Sequence, residues 1–188
     1  PELVLEITES TTDLLLQALR EHRLDAALLA TPPNRHDLEA INLFEEPFWL
    51  AHPRDHALST QYDIRLEDLA GLDVLLLSQE HCLSEQVMAA CQLTERPETG
   101  PMTGLKASSL ETLVQLVGMG IGVTLVPALS VHAGRLAVSG VILRELQIPQ
   151  AFRQVRLVYR ASFPRQAGLE LLSDNIRRIL PNTVRPNH

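Results

Sequence analysis

The sequence is poor in several residue types, and each shortage excludes something. Two cysteines, Cys82 and Cys91, stand among 188 residues, too few for the disulfide framework of a small secreted fold, so a reducing compartment is the expectation. Sixteen basic side chains, of which only Lys106 is lysine, face 23 acidic ones for a net charge of −7. The arginines are scattered and form no basic stripe, so this chain by itself is expected to bind nucleic acid poorly. No apolar run is long enough to cross a bilayer: Leu113 to Leu129 is broken by Gln115, Gly118, Gly120, Gly122, Thr124 and Pro127. The opening Pro1-Glu2-Leu3-Val4 lacks the basic start, apolar centre and small-residue cleavage site of a secretory leader. A cytoplasmic location without membrane contact is therefore expected. Internal repeats and low-complexity tracts are absent.

A hydrophobic content of 45% suits a globular chain, and the length fits one compact lobe or two. Leu3 to Thr8 alternates apolar and polar, predicting a strand with one wet face. Thr11 or Thr12 can cap a helix with Asp13 in its first turn and Leu15, Leu16 and Leu19 as its stripe, ending near His22-Arg23. Leu24 to Ala30, stopped by Thr31-Pro32-Pro33, reads as a buried parallel strand. Ile41 to His52 reads as one extended segment, Pro53 to Tyr62 as a polar turn, Leu66 to Leu69 as a short helix ending at Gly71, and Val74 to Leu77 as a buried strand. Ser84 is expected to cap a helix running to Gln92, with Leu83 and Met88 as its hydrophobic staple. A capping box, Ser108 with Glu111, introduces the clearest helix, whose stripe is Leu110, Leu113, Val114 and Val117.

Gly118 to Gly122 breaks that helix before a strand from Val123 to Pro127. Two more strands, Val141 to Leu146 and Val155 to Tyr159, precede a last helix carrying Leu169, Leu172, Ile176, Ile179 and Leu180. Alternating strands and helices predict an α/β fold with mostly parallel sheets. Pro149 to Phe152 is a candidate crossing between two lobes.

Chemistry concentrates in His81-Cys82-Leu83-Ser84-Glu85-Gln86-Val87-Met88-Ala89-Ala90-Cys91. Cys82 is expected just outside the start of its helix and Cys91 late in it. Helical rise plus an extended lead-in puts their Cα atoms roughly 13 to 20 Å apart, whereas a disulfide needs less than about 7 Å. Any bond between them therefore requires the helix to unwind. A helix amino end favours thiolate at Cys82, and Cys91 has no such help. The plain alternative is two small core residues that never react. His81 alone reads as a packed or exposed ring, and no further Cys or His stands at ligand spacing, so neither a metal nor another cofactor is expected.

The cysteine segment, together with Ala107-Ser108-Ser109-Leu110-Glu111-Thr112-Leu113 and Gly120-Ile121-Gly122-Val123-Thr124-Leu125-Val126-Pro127-Ala128-Leu129, resembles the regulatory domain of the peroxide-sensing OxyR group of LysR-type transcription regulators. Pro1 to Thr8, Thr11 to Leu28 and Glu46-Pro47 through Pro53 and His56 extend the resemblance over nearly the whole chain. Most of these matches are common to LysR-type domains, and the histidine-preceded cysteine pair selects the peroxide sensors.

The resemblance implies two Rossmann-like lobes, as in type 2 periplasmic-binding proteins and LysR substrate-binding domains. Residues 1–71 and 152–188 would form one lobe, and residues 72–151, with the cysteines, the other. It implies a peroxide-reactive Cys82, a resolving Cys91, and a peroxide site served by Thr11, His81, Gln86 and Arg153, with Arg153 supporting the thiolate. It further implies a reversible Cys82–Cys91 disulfide reset by a cytosolic dithiol reductant. Association into a homodimer or tetramer, and DNA contact only through an upstream helix-turn-helix outside this chain, complete the expectation of a regulator and not an enzyme. Thr11 could equally be a helix cap, and Arg153 a solvated strand-edge residue.

Three departures stand out. Ser84 occupies a position where relatives usually carry arginine, and Gly104 one where some have histidine. The family also begins with a further strand and helix ahead of the segment matching Pro1, so a free sheet edge is expected. Other readings keep the architecture: a LysR-type domain binding a small-molecule co-inducer with inert cysteines, or a periplasmic solute-binding protein. A thiol peroxidase would instead turn over repeatedly.

Overall fold

The structure, a computed structural model, describes residues 4–33, 36–78, 82–93, 107–131 and 139–187. In chain order the elements are α1 (Thr12–Arg20), β1 (Ala26–Leu29), β2 (Leu38–Pro53), a 3-10 turn (Ala57–Thr60), α2 (Leu66–Ala70), β3 (Val74–Leu75), α3 (Cys82–Ala90) and α4 (Leu110–Gly118). They continue with β4 (Val123–Pro127), α5 (Ala128–Val131), β5 (Val141–Glu145), β6 (Phe152–Arg160), α6 (Gln166–Arg178) and β7 (Arg185–Pro186).

The long strand β2 organises these elements. Its first part, Leu38 to Pro47, pairs with β6, and its second, Phe48 to Pro53, pairs with β4 and β5. The change of partner falls at Pro47-Phe48. Proline lacks a ladder donor and is tolerated where pairing is interrupted, while the Phe48 amide donates to the Ala151 carbonyl at 2.8 Å. The Pro149 to Phe152 stretch thus runs beside the point where β2 passes from one set of partners to the other. The sheet path is β1-β6-β2-β4-β3, with β5 and β7 added on β2.

The pairing corrects the expectation of mostly parallel sheets. Among the described strands only β3 with β4 is parallel, joined by the isolated parallel bridge Leu77–Ala107; β1 with β6, and β2 with β4, β5, β6 and β7, are antiparallel. A strand that traverses both halves is met by returning segments, and these run against it. Two neighbouring expectations change as well. Residues 4–8 form no strand, and Val4 and Ile7 are nearly fully exposed because the alternating pattern finds no partner strand among the described residues. β1 is shorter than the Leu24–Ala30 run and exposes Leu28, since it pairs with β6 alone.

Smaller differences follow from local chemistry. The polar Pro53–Tyr62 segment contains the 3-10 turn, and α5 follows Pro127 directly where no helix was expected. α4 is capped by Ser109, whose Oγ accepts from the Thr112 amide at 3.2 Å, one residue later than the expected Ser108 box. Gly122 is required by close approach. A Cβ there would lie 2.5 Å from the Asp73 carbonyl oxygen, which accepts from the Val123 amide where β4 begins.

Apolar faces meet in contiguous cores. Leu19 of α1 packs with Ala27, Leu29 and Val158; α6 places Leu169 against Leu43, Phe44 and Val155. α4 buries Leu113, Val114 and Val117 against Leu75 and Val126, and α3 adds Val87 to Phe48, Leu50, Leu69 and Leu125. Each fully buried aliphatic or Phe side chain stabilises the fold by about 1.5–3 kcal/mol.

Candidate functional site at the head of α3

α3 begins at Cys82, two residues before the expected cap. Ser84 does not cap it: its buried hydroxyl donates to the Leu77 carbonyl at 2.8 Å, tying the first turn to the segment after β3. The other end closes in a Schellman motif, with the Leu93 amide donating to Met88 O at 2.9 Å and the Gln92 amide to Ala89 O. Cys91 is the C-cap residue of this motif, and Gln92 adopts the left-handed φ of 50° that glycine usually supplies. Both cysteines are free. Nine residues apart along mostly helical chain, they lie about 13 Å apart along the axis.

Their surroundings differ. Cys91 is 1% exposed within the core built on Phe48, Val87 and Leu125, and burial pushes its thiol up to about 11. Such a thiol is a poor nucleophile while it stays in place. Cys82 is only partly buried, and the Thr12 hydroxyl donates to its sulfur at 3.7 Å across 70 residues of chain. The contact arises because Thr12 opens α1 where α1 and α3 meet.

The expected threonine is therefore displaced by one residue. Thr11 is the exposed N-cap residue of α1 without a side-chain cap bond, and Thr12 makes the thiol contact. Gln86 lies one turn after Cys82 on the same helical face; its amide nitrogen reaches Thr31 Oγ1 at 3.4 Å and its carbonyl oxygen accepts from Arg153 Nη1 at 3.5 Å. Arg153 comes from β6, and its Nε and Nη2 both lie 2.8 Å from Glu46 Oε2. The second Glu46 oxygen accepts from the Leu129 amide at 2.9 Å, and Glu46 is fully buried. Arg153 is thus an ion-paired residue at the site and not a solvated strand edge. His81 lies outside the described residues. Among the described residues, no group of three His, Cys, Asp or Glu side chains could hold a metal.

Sequence reasoning missed Glu46, Thr31 and the contact made by Thr12. For Glu46 a signal existed: of the adjacent Glu45 and Glu46, it opens the apolar run Pro47-Phe48-Trp49-Leu50-Ala51, and a carboxylate buried there needs a cation.

Comparison with known proteins now decides the family. The LysR substrate binding domain family matches residues 1–180. The chain belongs to it. This LysR substrate-binding domain is 37% identical over 177 residues to the hydrogen peroxide-inducible genes activator of Pectobacterium carotovorum subsp. carotovorum, covering 94% of the chain and 57% of that protein. It is 35% identical over 177 residues, with the same coverage, to the DNA-binding transcriptional dual regulator OxyR of Escherichia coli K12. The chain thus spans 57% of the length of these curated relatives. Among solved structures, the reduced OxyR regulatory domain of Pseudomonas aeruginosa superposes with a TM-score of 0.72 at 34% identity, covering 89% of this chain and 79% of that one. A cysteine-to-serine mutant of Corynebacterium glutamicum OxyR with hydrogen peroxide bound gives 0.79 at 30% identity, covering 90% and 53%. The mixed α/β architecture is that of the LysR substrate-binding domain, and its similarity is to OxyR regulatory domains. No helix among the described residues is long and apolar enough to cross a membrane.

Proposed function

We propose that this LysR substrate-binding domain senses hydrogen peroxide for a transcription regulator, through a reversible disulfide between Cys82 and Cys91. The observation that carries the reading is the asymmetric cysteine pair on α3: one thiol accessible and hydrogen-bonded by Thr12, the other buried at the far end of the same helix. The names of the relatives support the signal.

The Cys82 thiolate attacks one peroxide oxygen. The O–O bond breaks, hydroxide leaves and takes a proton to become water, and Cys82 becomes a sulfenic acid. Thr12, Gln86 and Arg153 surround the place where the leaving oxygen is polarised, and His81 remains part of the proposed site. Cys91 then attacks the Cys82 sulfur, forming the disulfide with loss of a second water. Separation along the helix forces α3 to unwind for this step. A cytosolic dithiol returns two electrons and two protons and restores both thiols.

In this reading the lobe expected from residues 1–71 and 152–188 meets the one from residues 72–151 along β2, whose second half already pairs with β4 and β5, so the change in α3 is delivered at their junction. The domain acts in the cytoplasm as part of a homodimer or tetramer, and its output passes to DNA through an upstream helix-turn-helix. It is a sensor whose cycle consumes one peroxide, not a turnover enzyme.

The test is peptide mass mapping without reductant, before and after one equivalent of peroxide. A Cys82–Cys91 linked peptide is expected in the parent. Cys82→Ser should abolish the response, and Cys91→Ser should yield a trappable sulfenic acid at Cys82. An unchanged thiol count overturns the reading and leaves a domain with inert cysteines; sulfenic acid lost equally in both variants overturns the assignment of roles.

A further inference from the structure

We infer that Glu46 is a positioning residue for the chemistry of Cys82, acting through Arg153; the inference rests on the peroxide-sensing reading above. Glu46 sits on β2 immediately before the change of sheet partners, fully buried, with both oxygens engaged. Oε1 accepts from the Leu129 amide at 2.9 Å at the start of α5, which fixes the plane of the carboxylate. Oε2 takes Nε and Nη2 of Arg153 at 2.8 Å each.

These bonds occupy one edge of the guanidinium and leave Nη1 pointing to α3, where Gln86 is 3.5 Å away. Gln86 and Cys82 share a helical face. The edge of Arg153 that faces the peroxide position is therefore the edge Glu46 does not use, and its direction is set by a carboxylate 107 residues away in sequence. A flexible arginine on a strand surface would lose side-chain entropy on every approach to substrate. Glu46 removes that freedom in advance, because a planar fork held on one edge has its other edge fixed. Glu46 itself is not placed on the thiol; its effect passes through Arg153.

The experiment uses the chain carrying Cys91→Ser, so that sulfenic acid at Cys82 accumulates, and reads the rate of its trapping by a carbon nucleophile at varied pH. Glu46→Gln is expected to slow trapping at neutral pH about tenfold or more and to move the midpoint of the pH–rate profile upward. The double variant Glu46→Gln with Arg153→Ala should be no slower than Arg153→Ala alone, since one residue acts through the other. A rate and midpoint within about twofold of the parent, an additive double variant, or a faster Glu46→Gln protein overturns the inference; the last would mean that the carboxylate merely masks the cation.

If Glu46→Gln fails to fold, Arg153→Lys decides. It keeps a cation on Glu46 but removes the fork, and should lose a similar factor with unchanged circular dichroism and Tm; a parental rate overturns the inference. A parent that traps no sulfenic acid at all overturns the peroxide reading and this assignment with it. A reacting parent beside an indifferent Glu46→Gln overturns this assignment alone.

Discussion

α3 and α4 are both nine residues long and both end in a Schellman motif, yet they are built for different persistence. α4 has a serine cap, buries Leu113, Val114 and Val117, and leaves through Gly120, whose φ of 81° carries no Cβ penalty. α3 buries only Ser84 and Val87 among its residues and leaves through Gln92 at φ 50°. A non-glycine residue in that region costs about 1 kcal/mol. A small cavity is shared by the two helices, lined by Leu83, Ser84 and Val87 of α3 and by Leu113 of α4. Helices this short depend on packing and caps because their intrinsic stability is low. At equal length, α4 is thus the better-capped and better-packed of the two helices.

The largest expected effect sharpens that contrast directly. On oxidation, amide exchange across residues 84–92 should accelerate by about a hundredfold or more, from protected helix toward open chain, while residues 110–118 stay as protected as before. Reduction should restore α3. Equal protection of α3 in the disulfide form would show that the helix does not need to unwind, and equal loss in both helices that the contrast is false.

Packing comes next. Leu113→Ala, at a position 2% exposed, should lower unfolding free energy by about 2–5 kcal/mol, measured by urea denaturation of the reduced chain. Val87→Ala on α3 should cost less than half as much, because a smaller side chain is lost beside the same cavity. A larger penalty at Val87 would make α3 the better-anchored helix.

Alkali tests the buried end of α3. The Cys91 thiol, raised from 9.0 to about 11 by burial, stays protonated in the fold where the unfolded chain has already released its proton. Stability is therefore fully present below about pH 9 and falls as pH rises from 9 toward 11, by up to about 3 kcal/mol. Cys91→Ala should lack this component when its stability is compared with the parent's across the same range. Identical pH dependence in the two would mean that the thiol is not desolvated.

The smallest effects exchange the two helix exits. Gly120→Ala should destabilise α4 by about 1 kcal/mol, because open space surrounds the position and only the backbone conformation is strained. Gln92→Gly should stabilise α3 by about 0.5 kcal/mol, partly offset by the freedom glycine adds to the unfolded chain. Exchange in α3 should slow about twofold, and the peroxide dose giving half oxidation should rise. No change in either would remove the exits from the explanation.

What was legible in the sequence is what repeats locally. The stripe Leu15, Leu16, Leu19, the stripe Leu110, Leu113, Val114, Val117, the Gly118 to Gly122 break and the Leu169 to Ile176 pattern are set by helical period and backbone freedom, and the described elements follow them. The spacing of Cys82 and Cys91 likewise sufficed to predict a helix between them, although α3 begins at Cys82, which was expected just before it, and Cys91, expected within it, caps its end. Tertiary structure decided the partners. Thr12 and not Thr11 meets Cys82, Ser84 turns to Leu77 instead of capping, Arg153 is fastened to Glu46, and returning strands make the pairing on β2 antiparallel. Each of these depends on rotation and register between segments distant in the chain. A shift of one residue turns a helical side chain by about 100° and flips a strand side chain to the opposite face, so a local pattern that fixes an element leaves its long-range contacts to the docking of the whole.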